Sequence, residues 1–207
     1  MPQFFPSPRP ATSPWGLVAQ ADQLLPGIWS VATPSHGGLI LSAARQAAMP
    51  AALALEEAAY EKHVAWGRVV LAFEQEFRDR AVYAPSHIQV ARDTVRCWHT
   101  SAYSAFTGES VPVNESHVLK RRAAYLSAIG EVGVTAAWGD WASWVPAAKV
   151  GVVGRCIEAV DHLGHITYAG PEYYALVDAA RYDERGEAAT FAGLVAQQIE
   201  RPAELAR

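Results

Sequence analysis

The chain has 207 residues, 51% of them hydrophobic, with a formal net charge of −4 and only 18% charged side chains. That is apolar material for one sizeable core, and it lacks the basic surplus that tight nonspecific nucleic-acid binding draws on. No apolar run reaches the roughly 18 residues of a membrane span, and the start MPQFFPSPRPATSP has no charged, apolar leader, so a soluble, cytoplasmic protein is expected.

Residues 1–14 hold Pro2, Pro6, Pro8, Pro10 and Pro14. Each proline removes an amide donor and fixes φ, which predicts an extended, disordered arm whose Phe4 and Phe5 are free to dock. A single domain is expected over 15–185. Gly27 to Thr33 alternates apolar and small polar residues and reads as a strand. Thr33-Pro34-Ser35-His36-Gly37-Gly38 is turn chemistry, and Leu39 to Leu41 returns as the second strand of a hairpin. Ser42 suits the N-cap of a short helix ending before Pro50.

Ala51 to Arg80 reads as helical, with Trp66, Val70, Phe73 and Phe77 on one face and Glu57 and Glu61 on a more polar one. Ser86 caps a second helix with a stripe of Ile88, Ala91, Val95, Trp98 and Ala102, closed by Gly108. A third runs from Asn114 to Gly130. Val132 to Trp138 and Val150 to Val160 read as strands, Asp161 to Gly164 as a turn, and His165 to Ala169 and Tyr173 to Val177 as extended. Gly151 and Gly154 mark a bulge or a close approach. Residues 186–207 form an extension without an assignable element. Strands, helices and strands again, joined by short connections, predict an α+β fold: one antiparallel sheet packed against about three helices.

Several pieces together resemble an uncharacterised family of bacterial and phage proteins. They are Thr12-Ser13-Pro14-Trp15-Gly16, Thr33-Pro34-Ser35-His36-Gly37-Gly38, Met49-Pro50, Tyr60-Glu61, Ala137-Trp138-Gly139-Asp140-Trp141 and Val150-Gly151-Val152. The resemblance spans about Thr12 to Tyr182 and implies cargo of proteobacterial phages, plasmids and integrated elements, with no assigned activity. Such proteins are strongly acidic just after the Tyr-Glu step, where this chain has Lys62 and His63.

His36 is the candidate catalytic residue. In one reading its imidazole is an acid or base beside an anion nest formed by the Gly37 and Gly38 amides; in the other, Ser35 to Gly38 is only a tight turn. Asp140 is the candidate acidic partner, held between Trp138 and Trp141, or else a residue that satisfies loop amides. Ser35 and His36 are adjacent and no GxSxG elbow exists, which excludes a hydrolase triad. His63 does not align with Glu57 or Glu61 at helical offsets, and His162 and His165 bracket a turn, so no metal and no cofactor are expected. Cys97 and Cys156 stand far apart and read as buried thiols.

Trp138, Trp141 and Trp144 crowd one loop containing Gly and Pro, which favours a recognition surface, with Ser35, Gly37 and Gly38 as further binding candidates. The leading expectation is therefore a mobile-element accessory protein that binds a macromolecule, most naturally a protein, and interferes with a host defence system. The alternative is a small hydrolase or nucleotide-modifying transferase using His36 with Asp140. Sequence-specific DNA binding through Arg92, Arg96, Lys120, Arg121 and Arg122 is the weakest reading, given the acidic balance.

Overall fold

The structure, a computed structural model, describes residues 3–205. It divides into two compact units, Met1–Pro112 and Val113–Arg207. The boundaries at 14 and 185 do not coincide with this division: the first unit takes in the proline-rich arm and the second the C-terminal extension.

In the first unit, β1 (Thr12–Ser13) and β2 (Gly16–Leu17) make a minimal ribbon around Pro14 and Trp15. β3 (Gln20–Leu25), β4 (Ile28–Ala32) and β5 (Gly37–Leu41) follow as an antiparallel meander, with the hairpin placed where the alternation predicts it. α1 (Ala43–Ala47) starts at Ser42, whose hydroxyl accepts from the Arg45 N–H at 3.3 Å. β6 (Ala59–Glu61) then completes a sheet of order β3-β4-β5-β6. α2 (Trp66–Ala72) packs on β5 and β6, α3 (Glu74–Asp79) and α4 (Pro85–Trp98) pack on α2, and α5 (Thr100–Thr107) packs on α4. Leu25, Ile28, Leu39, Tyr60, Val69, Val70, Phe77, Ile88 and Val95 form the shared core.

The continuous helix expected from Ala51 to Arg80 is not there. Residues 51–58 are turns and coil, β6 is a strand, and helix begins only at Trp66. The alanine-rich composition favours helix locally, but Tyr60 is fully buried, and its hydroxyl accepts from the Leu55 N–H and donates to Gln46 Oε1, both at 3.0 Å. Tertiary burial of this one ring overrides local propensity. Helix breaks again at Phe73 (φ −116°), dividing α2 from α3. α4 starts two residues earlier than a Ser86 cap would set it, because Pro85 occupies the first helical position, where its missing N–H costs nothing. Gly108 ends α5 with φ +77°, as the sequence suggests.

From Gln3 onward the arm is tied down rather than disordered; the first two residues of that expectation lie outside the described residues. Phe4 lies 3.6 Å over the guanidinium of Arg45 and edge-on to Phe73 at 6.0 Å. Farther along, Trp29 Nε1 donates to Ser7 Oγ at 2.9 Å and Arg9 to the Ala19 carbonyl at 3.3 Å. Arg45 is wholly buried and bonds bidentately to Glu76 at 2.8 and 2.7 Å, leaving a ring face for Phe4 to cover.

In the second unit a 3₁₀ turn (Val113–Glu115) leads to α6 (His117–Ser127), capped by Ser116 rather than Asn114. β7 (Val132–Trp138), β8 (Lys149–Val160) and β9 (Ile166–Asp178) form a meander, followed by α7 (Ala179–Asp183) and β10 (Gln197–Ile199), in the order β10-β9-β8-β7. β9 is continuous where the sequence suggests two segments, and the register shifts at Gly154 as expected of a bulge. The extension is structured: Leu194 is buried with Val152, Ala175 and Val177. The fold is thus α+β, but with three antiparallel sheets and seven α-helices among the described residues, instead of one sheet and about three helices. Each unit has its own core, which a single sheet would not allow. No helix among the described residues is long and apolar enough to cross a membrane.

Candidate functional site

The β4–β5 turn is built by Thr33. Its hydroxyl accepts from the His36 N–H at 3.0 Å and donates to the His36 carbonyl at 3.1 Å, while its own N–H donates to that carbonyl at 2.8 Å. These bonds fix the His36 backbone and leave the imidazole outside the ladder. Ser35 is exposed at the tip. Gly37 and Gly38 are not an anion nest: both are buried residues of β5 and neither has positive φ. Glycine is required for another reason. A Cβ on Gly37 would strike the Val31 carbonyl, and one on Gly38 would meet the Tyr60 carbonyl, the Trp15 ring and Glu61 Cα. The two glycines therefore let β6 and Trp15 close onto β5.

That close approach sets the site. Gly38 pairs with Glu61 across the β5–β6 ladder, so the last residue of β6 stands beside the first turn of β5. Glu61 Oε2 lies 3.9 Å from His36 Nε2. The chain turns sharply after Glu61, and its carboxylate accepts from the N–H groups of His63 (2.6 Å), Val64 (2.6 Å) and Ala65 (3.0 Å). Burial works against the charge of this carboxylate, but the bonds from Val64, His63 and Ala65 outweigh it and hold the pKa below the ordinary glutamate value. The same turn swings the exposed His63 ring to 5.3 Å from that of His36, and Trp15 packs 5.6 Å from His36 on another side. One donor atom each from His36, Glu61 and His63 lie within 4.8 Å of one another.

The acid placed against His36 is thus Glu61, while Asp140, the partner suggested by the sequence, belongs to the second unit. Spacing along the chain conceals this trio because the pattern from Ala51 to Arg80 reads as helical; on a strand followed by a tight turn, an offset of two brings Glu61 and His63 together. A cleft of about 270 Å³ opens beside the site, lined by Ser30, His36, Gly38, Lys62, Trp66 and Tyr83. His99 lies in the same unit. Burial, and then the positive charge of Arg68, push its pKa down to about 4, so it is neutral at pH 7.

The tryptophan loop has a different construction. Trp138 and Trp144 meet edge to face at 5.7 Å, and Trp144 packs directly on Gly151, whose missing Cβ makes the room. Both rings are half-buried, and they brace the connection between β7 and β8. Trp141 at its tip is 77% exposed. Asp140 is exposed in the same turn rather than enclosed between indoles. β7 is the end strand of its sheet. Its first half is covered by residues 189–191, through Val134 N–H to the Ala189 carbonyl (2.9 Å) and Phe191 N–H to the Val132 carbonyl (2.8 Å). Thr135, Ala136 and Ala137 in the second half are exposed. Trp15, in a resembling segment, and Trp29 are half-buried.

Three of the basic residues considered for DNA are engaged internally. Arg92 pairs with Glu74 at 2.8 Å, and Arg121 and Arg122 donate to the carbonyls of Gly164 and Asp161. Cys97 and Cys156 are half-buried and lie in different units. His165 binds Asp161 at 3.0 Å in the exposed β8–β9 turn.

Residues 8–129 match a protein-family model described as a domain of unknown function, DUF7007. The match covers the first unit from residue 8 onward and continues through α6, stopping before β7. No curated protein and no solved structure matches the chain.

Proposed function

The chain belongs to the DUF7007 family, and from that premise we propose that it is an accessory protein of a mobile element that acts by binding another protein. The observation that carries this reading is Trp141, 77% exposed on a loop braced by the contact between Trp138 and Trp144. An indole fixed in water costs little entropy to dock and anchors interfaces well. Beside it, Thr135 to Ala137 offer an uncharged strand edge with none of the lysines or prolines that usually protect one. An extended segment of a cytoplasmic partner adds to that edge while Trp141 fills a pocket on it. The mobile-element setting, and interference with a host defence system as the form the binding takes, rest on the resemblance of the Thr33–Gly38 and Ala137–Trp141 motifs.

Pull-down of tagged protein from proteobacterial lysate, with mass spectrometry, tests the reading against Trp141→Ala and Ala137→Lys. One stoichiometric protein retained by the wild type and lost with both variants is expected. No retained protein, or one indifferent to both substitutions, refutes it.

A second reading, a small enzyme, is favoured by the pairing of His36 with Glu61 on the edge of a 270 Å³ cleft that also holds Lys62. Glu61, not Asp140, is then the acid that orients the imidazole.

A further inference from the structure

We infer that His36, Glu61 and His63 form a binding site for a divalent transition-metal ion, zinc foremost. The site lies in the first unit and is independent of the protein-binding reading above.

The donor set points to the class of ion. Two imidazoles and one carboxylate suit zinc and its neighbours, whereas magnesium and calcium call for mostly oxygen ligands. The three donor atoms lie within 4.8 Å of one another, and the His36–Glu61 pair is already at 3.9 Å. With zinc bonds of about 2.0–2.2 Å, donors in a tetrahedral site stand about 3.3 Å apart. Small side-chain movements at His36 and a rotation of the exposed His63 supply the remaining closure, about half an ångström for the His36–Glu61 pair.

Two of the ligands are held in advance. The Glu61 carboxylate is aimed by three backbone N–H groups, two on Oε1 and one on Oε2, which leaves a lone pair on Oε2, the oxygen facing His36. The His36 backbone is locked by Thr33 on both its N–H and its carbonyl. Trp15 walls the site on one side, and the half-exposed side chains of His36 and Glu61 leave a fourth position open to water or a ligand. Three protein ligands with an open position is the pattern of zinc sites that polarise a bound molecule rather than only brace a fold.

Cobalt(II) absorption and zinc calorimetry on tag-free, full-length protein test the inference. One ion per chain is expected, with the intense visible bands of tetrahedral cobalt and a Kd in the micromolar range or below. His36→Ala and His63→Ala should each weaken binding by about tenfold or more, whereas a His162→Ala/His165→Ala double variant should not change it. Diethyl pyrocarbonate labelling of the wild type gives a readout that needs no variant. Zinc should protect His36 and His63, and leave His162 and His165 reactive. Binding weaker than millimolar, binding unchanged in both single variants, or protection confined to other histidines overturns the site.

Discussion

Glu61 shows how much one side chain at a strand end does. Its carboxylate terminates β6, satisfies three consecutive backbone donors and thereby sets the direction in which the chain enters α2. Charge-assisted bonds of this kind resemble a helix N-cap and contribute about 1 kcal/mol. Because its pKa is lowered in the folded protein, that stabilisation is complete above the ordinary value of 4.5 and is lost as pH falls through the lowered value. Glu61→Gln is therefore expected to lower the urea midpoint at pH 7, and the gap from wild type should narrow steadily below pH 4.5. A gap that is constant with pH would mean that the charge of Glu61 contributes nothing. Neither this role nor the nearness of Glu61 to His36 was legible from chain spacing, since both depend on which strand lies beside β5. The glycines tell the same story: Thr33 to Gly38 is visibly a turn, but only the packing of Tyr60 and Trp15 explains why residues 37 and 38 must lack a Cβ.

Among the elements, the N-terminal arm departs most from expectation. Five prolines in fourteen residues do keep it free of helix, and residues 3–11 carry no regular structure. What holds it is a charge elsewhere in the unit. Arg45 is buried with Glu76 and accepts the Phe4 ring on its face. A desolvated cation–π contact of this kind stabilises by about 2 kcal/mol, to which the ring's own burial adds. Phe4→Ala should lower the stability of the first unit by about 1–3 kcal/mol and expose residues 4–13 to limited proteolysis. An arm equally resistant in the variant would show that the hydrogen bonds at Ser7 and Arg9 suffice. The stripe of α4 was legible because the element's own periodicity matches its buried face: Ile88, Ala91 and Val95 are buried as predicted, whereas Trp98 is 43% exposed.

At the scale of the whole molecule, two compact units carry separate cores. The larger core, from Leu25 to Val111, lies entirely within residues 1–112. A fragment of those residues is expected to fold alone, with one cooperative urea transition and dispersed amide resonances. A broad, noncooperative transition would show that the second unit is needed, a result the family match running on to residue 129 makes worth testing.

By itself, the sequence determined the α+β class, the β4–β5 hairpin, the Ser42 cap, the end of α5 at Gly108 and the strands β7 and β8. All of these follow from periodicity or from backbone chemistry acting over a few residues. Only the tertiary structure decided that residues 59–61 form a strand, that the arm docks on Arg45, that the described residues form three sheets, and that His36 meets Glu61 and His63. The physical reason is common to all four. Each depends on burial of a ring or a charge against residues distant in the chain, and such contacts outweigh the modest local propensities that a sequence displays.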